Sequence, residues 1–316
     1  MRALITGGTG SIGSRLAAAL VERGDDVVTL DVRTEPVVPA SAFERVETRV
    51  GEVQDAAVVN ATVAETRPDT IFHLAAILSG MSETHSDLAW RVNVEGIRNV
   101  LEAARTHSVG RVLFASTVAT YGVGVSDMVT EDSPQWPASL YGVTKVLGER
   151  LGMYYHLRHG LDFRCVRLSA MVAPTTPVGG AASAFVCDMY AAAVRDGHYA
   201  FYVYPTSRVP LVWVGDVVRA LMQLHDAPAE RLRRRVYQII GAGPSVREMA
   251  EAVTKRLPQV EFAYEPDSVR ADIVNSWPSS MDDSAATEDW GWSPAFDLER
   301  MTDAVLAELQ AGSSRA

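Results

Sequence analysis

Three glycines at a three-residue spacing constrain this chain more than any other feature. They lie in Gly7-Gly8-Thr9-Gly10-Ser11-Ile12-Gly13, directly after an apolar run at 3–6 and at the start of a helical pattern over 11–23. A strand that turns so sharply into a helix uses the first glycine for the turn. The second lets backbone approach a pyrophosphate, and the third lets helix and strand pack closely. The N–H groups of Ser11, Ile12 and Gly13 would then open the helix, where free donors and the positive dipole end suit phosphate. A glycine triplet alone is a weak signal. Between a first strand and a first helix it is a strong one.

The rest of the first half keeps that rhythm. Short apolar runs at 26–31, 71–74, 111–116 and 163–168 alternate with helical patterns over 55–67, 86–107 and 140–158. Strands alternating with helices predict an α/β fold with a parallel sheet covered on both faces. After 168 the rhythm breaks at a Pro- and Gly-rich loop, 173–180. Further elements are expected at 183–195, 212–214, 216–224, 236–240, 260–264 and 298–309, with a capping box at Ser245-Val246-Arg247-Glu248. The simplest partition puts 1–168 with 211–241 in a cofactor domain, and 169–210 with 242–316 in a smaller lobe.

Composition narrows the function. The formal charge is −10, and no basic stretch has a nucleic-acid footprint. The arginines of 231–235 read as a solvated helix end or turn. Cys165 and Cys187 are the only cysteines, too few for a metal framework and best read as reduced, buried thiols of a cytoplasmic protein. No apolar run reaches the roughly 18 residues of a membrane span. No signal segment is expected at the start, and no metal, nucleic-acid or membrane partner.

Asp31 closes the second strand. A carboxylate there accepts hydrogen bonds from both ribose hydroxyls of an adenosine and repels a 2′-phosphate, which favours NAD over NADP. Arg33 softens that preference. Glu52, with Val53, either approaches the adenine or is a surface carboxylate.

Lysine is nearly absent: Lys145 and Lys255 are the only two among 29 Lys and Arg. Lys145 lies four residues after Tyr141, so on a helix the two share a face. A buried ammonium there is expected to lower a phenol pKa of about 10 toward the working pH, which would make Tyr141 an acid–base group. Arg does not substitute freely for so compact a cation.

Taken together, the glycine loop, Asp31, His73-Leu74-Ala75-Ala76, Asn93-Val94-Glu95-Gly96, Ala115-Ser116-Thr117 with Tyr121-Gly122, and Tyr141-x-x-x-Lys145 resemble the extended short-chain dehydrogenase/reductase family. The resemblance implies a doubly wound parallel (Rossmann) sheet with a C-terminal substrate lobe. It implies NAD as cofactor, held in part by Leu74, Ala75, Ala76 and Asn93. Asn93 has an alternative, purely structural reading as a bond to backbone inside its own helix. Tyr141 would take the substrate proton. Lys145 would tune it and bond the nicotinamide ribose. Thr117, or less favourably its neighbour Ser116, would orient the substrate oxygen. The branch most similar is the short-chain L-threonine 3-dehydrogenases, on His73 to Ser79, on Val209-Pro210-Leu211-Val212-Trp213-Val214-Gly215-Asp216, and on Asn275-Ser276-Trp277-Pro278 with Asp289-Trp290-Gly291-Trp292.

In that branch Ser79, Thr117, Gly180, Ser183 and Trp277 would meet a small polar substrate. Two departures leave the substrate open. Ala182 and Ser183 stand where the branch carries two threonines. Arg167-Leu168-Ser169-Ala170 lacks an aromatic and a proline. A sugar-acid dehydrogenase and a nucleotide-sugar epimerase are the rivals. A non-catalytic NAD sensor is a third, disfavoured because Tyr141 and Lys145 are both kept. The resemblance also implies a homodimer through the helices over 86–107 and 140–158.

Overall fold

The computed structural model describes residues 1–175 and 181–313. Seven strands form its main sheet: β1 (Arg2–Thr6), β2 (Asp26–Asp31), β3 (Val46–Val50), β4 (Thr70–His73), β5 (Arg111–Thr117), β6 (Asp162–Leu168) and β7 (Val236–Ile239). Every pairing is parallel, and the spatial order is β3-β2-β1-β4-β5-β6-β7. The order reverses between β1 and β4. In open α/β sheets a ligand crevice forms at that reversal, beyond the carboxyl ends of the strands.

Alternation along each strand divides the core in two, because successive side chains point to opposite faces. Ala3, Ile5, Val27, Phe72 and Leu113 face a layer with Leu16 and Leu20 of the first helix (Ser11–Arg23) and Leu221 and Leu224 of Val214–Asp226. Leu4, Val28, Ile71, Val112 and Phe114 face the opposite layer. That layer holds Val59 and Val63 of Ala56–Thr66, Val100 and Leu101 of Gly96–Thr106, and Tyr155 of Leu140–His159.

A third cluster lies beyond the sheet. It contains the helices Phe185–Arg195, Val246–Thr254 and Leu298–Ser313 and the parallel pair His198–Phe201 with Glu261–Tyr264. Phe201 is its hub, ringed by Phe185, Tyr199, Phe262 and Tyr264.

The structure amends several expectations. The run near 212 does not join the main sheet; Leu211–Trp213 pairs with Ala170–Val172 outside it. Residues 284–292, assigned above to the smaller lobe, pack on the sheet side: Trp290 meets Tyr237 edge-on, and Asp289 accepts the Tyr237 hydroxyl at 2.6 Å. The helix expected over 86–107 is three segments, Ser86–Trp90, a π turn at Arg91–Glu95, and Gly96–Thr106. Near 231–235, Arg233 pairs with Glu288 and Asp289, Arg234 with Asp132, and Arg235 with Asp162. Both cysteines are buried and free.

Candidate active site

A cleft opens at the carboxyl ends of β1, β4, β5 and β6. One wall is the glycine loop. Gly7 has φ +70, and a Cβ there would lie 2.7 Å from the Ala75 nitrogen, so the turn and the close approach of the loop after β4 both need glycine. A Cβ on Gly13 would overlap the Gly7 carbonyl oxygen. One on Gly10 would meet only that oxygen, at 3.3 Å. Gly10 therefore presents an open backbone face to the cleft. The helix it caps has no side-chain cap and no acidic residue in its first turn. Its N–H donors and positive end remain for an anion, which is the donor set a pyrophosphate needs. Asp31 stands beside this loop, accepting from Thr9 N at 3.1 Å and from Val32 N at 2.8 Å. Arg33 lines the cleft.

The opposite wall is the start of Leu140–His159, capped by Ser139, whose Oγ accepts from Gly142 N. Tyr141 lines the cleft there, beside the Thr117 side chain at the end of β5. Burial pushes its phenol up, and the neighbouring Thr117 hydroxyl opposes that. Lys145 is buried, donates to the Ala115 carbonyl at 2.8 Å, and stands 5.6 Å from the Tyr141 ring centre. Burial brings the Lys145 ammonium down to about 8, with Cys165 and Glu149 acting the other way. His73 stacks on Phe114, bonds Thr6 Oγ1 through Nδ1, and is held neutral down to about 3 by burial and by Lys145.

The floor joins the two lobes. Ser79 Oγ accepts from Ala182 N at 2.9 Å, and the Tyr202 hydroxyl donates to the Ala182 carbonyl. Ser183 and Trp277 also line the cleft. Trp277 is placed by the short strand Ser280–Met281, which pairs with Met128–Val129 and packs Met281 among Val118, Tyr121 and Val129.

The cleft thus gathers Gly7, Gly10, Ser11, Ile12 and Gly13, then Leu74, Ala76 and Ser79, then Thr117, Tyr141, Ser183 and Trp277. Several other expected residues have different partners or places. Asn93 sits in the π turn and clasps the main chain of Ile77, accepting from its N–H at 2.8 Å and donating to its carbonyl, and also donates to Thr144 Oγ1. Its bond is to the loop after β4, not inside its own helix. Val53 is core, and exposed Glu52 accepts from Gln54. Ser116 borders the cleft, but its hydroxyl donates to Glu149 at 2.6 Å, which leaves Thr117 as the hydroxyl on Tyr141. Gly180 falls outside the described residues.

Leu78, Val118, Ser169, Ala170, Met171 and Thr175 line the cleft without having been anticipated. A signal existed for 169–171. They follow a strand of a parallel sheet, the position from which such sites are built.

The doubly wound sheet, uncapped glycine loop and Tyr–Thr pair define a dinucleotide-binding α/β protein. The chain belongs to the NAD-dependent epimerase/dehydratase family, whose model matches residues 3–239. It is 34% identical over 308 residues to the mitochondrial L-threonine 3-dehydrogenase of Bos taurus, covering 96% of this chain and 82% of that one. The L-threonine dehydrogenase of Phytophthora infestans superposes with a TM-score of 0.91 at 32% identity, covering 99% of this chain and 100% of that one. A monomeric L-threonine 3-dehydrogenase from a metagenome superposes with a TM-score of 0.91 at 29% identity, covering 98% and 99%.

Proposed function

We propose that this chain oxidises a secondary alcohol on a small polar substrate, L-threonine, to 2-amino-3-oxobutanoate, with NAD as acceptor. The observation that carries the reading is the Thr117–Tyr141 pair on one wall of a cleft whose other wall is the open glycine loop. Thr117 orients the substrate hydroxyl. Tyr141 receives its proton. Lys145 supplies the buried positive charge that favours the phenolate as it forms. The cofactor, when bound, supplies the hydride acceptor. Gly10, Ser11, Ile12 and Gly13 would hold its pyrophosphate, and Asp31 its adenosine ribose, which favours NAD over NADP. Ser79, Ser183 and Trp277 are the substrate contacts. The similarity to two L-threonine dehydrogenases over almost the whole chain supports this substrate over a sugar acid.

We further propose a cytoplasmic homodimer. No helix among the described residues is long and apolar enough to cross a membrane. Trp90, Val143, Tyr154 and Leu157 are exposed apolar side chains on the two helical stretches expected to pair.

The test is NADH absorbance on mixing the protein with NAD and L-threonine, with D-threonine, L-serine and a four-carbon sugar acid as controls. Reduction with L-threonine is expected. Silence with L-threonine, while NAD demonstrably binds, would overturn the substrate and direct the search to sugar acids.

A further inference from the structure

Glu149 takes no part in the chemistry above, yet it is fully buried one helical turn beyond Lys145. Oε1 accepts from Ser116 Oγ at 2.6 Å and Arg167 Nε at 2.9 Å; Oε2 accepts from Arg167 Nη2 at 2.8 Å and Gln135 Nε2 at 3.0 Å. Ser116 lies between Ala115, whose carbonyl takes the Lys145 ammonium, and Thr117, which meets Tyr141. Arg167 is almost fully buried just before Leu168 and Ser169 of the cleft, and it also donates to the Tyr121 hydroxyl at 2.6 Å and the Glu131 carbonyl. A buried ion pair is seldom a net gain over well-packed apolar side chains. Stability is therefore a weak reason for this one.

The surroundings of Lys145 supply a better reason. It faces Tyr141 and Glu149 on its own helix, His73 on β4, the Phe114 ring and Ala115 carbonyl on β5, and Cys165 on β6. Burial keeps the Tyr141 phenol and the Cys165 thiol protonated, and His73 neutral. Of these neighbours only Glu149 is a carboxylate, held in an ion pair with Arg167. We propose that Glu149 is a positioning residue: its carboxylate keeps Lys145 charged in a buried setting, and through Ser116 and Arg167 it fixes the ends of β5 and β6 against Tyr141. This rests on the Tyr141–Lys145 reading of the site.

The scarcity of lysine makes the test direct. A protein labelled with lysine carrying 13C at Cε gives two resonances, from Lys145 and Lys255, and Lys255→Arg assigns them. The parent Lys145 signal is expected to titrate near about 8. In Glu149→Gln its midpoint should fall by about one pH unit, a roughly tenfold loss of proton affinity. That variant leaves Arg167 buried without a counter-charge, so Glu149→Gln with Arg167→Gln is measured beside it. The double variant removes the carboxylate together with its counter-charge, and because Glu149 is the member of the pair one helical turn from Lys145, the same direction with a smaller fall is expected. NADH formation from L-threonine at pH 9 relative to pH 7 should drop about fivefold in step, because the variant lysine is already half neutral at pH 7. An unchanged Lys145 midpoint in the folded double variant overturns the proposal. If the parent protein does not oxidise L-threonine, the substrate reading fails, while the NMR titration still decides the role of Glu149.

Discussion

Gly10 and Gly13 look alike in the sequence and differ in what a side chain would strike. Gly10→Ala adds a methyl toward open cleft. Its melting temperature should stay within a few degrees of the parent, while NAD affinity by titration calorimetry falls at least about tenfold as the methyl displaces the phosphates. Gly13→Ala drives a methyl into the Gly7 carbonyl and should cost about 1–3 kcal/mol in urea unfolding. Equal behaviour of the two would refute this division of labour. His73 makes a second residue-scale prediction. It is neutral in the fold down to about 3, against 6.5 for an open histidine. The unfolded chain therefore binds the extra proton between those values, and stability falls as pH drops from 6.5 toward 3, by about 4 kcal/mol in all. In His73→Asn the stability difference between pH 7 and pH 4 should shrink; an undiminished difference would remove His73 as the cause. Residue identities around the cleft were largely legible, because glycine spacing and the Tyr141–Lys145 interval are fixed by local geometry. The hydrogen-bond partners were not. That Ser116 belongs to Glu149, and Asn93 to Ile77, depends on segments 33 and 16 residues away.

The helix Leu140–His159 is held against the sheet at Gly152, where a Cβ would overlap the Phe163 ring. Gly152→Ala gains up to about 1 kcal/mol of helix propensity and meets an overlap that costs about 1–3 kcal/mol. A net loss of stability is expected. The same displacement should lower kcat while leaving NAD affinity within about twofold, since the glycine loop lies on the other wall. A fall in NAD affinity equal to that in kcat would contradict this. Elements with strong periodicity, such as Ser11–Arg23 and Asp26–Asp31, were readable to the residue. β3 was not, because its side chains are half-buried or exposed and it has no apolar face to announce it. Nor was His198–Phe201, whose partner Glu261–Tyr264 lies sixty residues on. The π turn was also invisible, since a helix with one extra residue keeps an almost helical apolar pattern.

For the whole molecule, the proposed dimer makes Leu157, 74% exposed, a buried contact. Leu157→Glu should convert a dimer to a monomer by sedimentation velocity without loss of helix content. A parent that sediments as a monomer would place this chain with its metagenomic neighbour in that respect. The π turn at Arg91–Glu95 has a reach of this scale as well. Asn93 is the rivet between the loop after β4 and the helix of Tyr141, and it points there because the turn holds one residue more than an α-helix would. Chain length, not only residue type, is therefore under constraint. A substitution other than proline at 91, 92, 94 or 95 keeps the rivet's heading, whereas losing a single residue from the turn would rotate Asn93 by roughly a quarter of a revolution and part the loop after β4 from the helix of Tyr141.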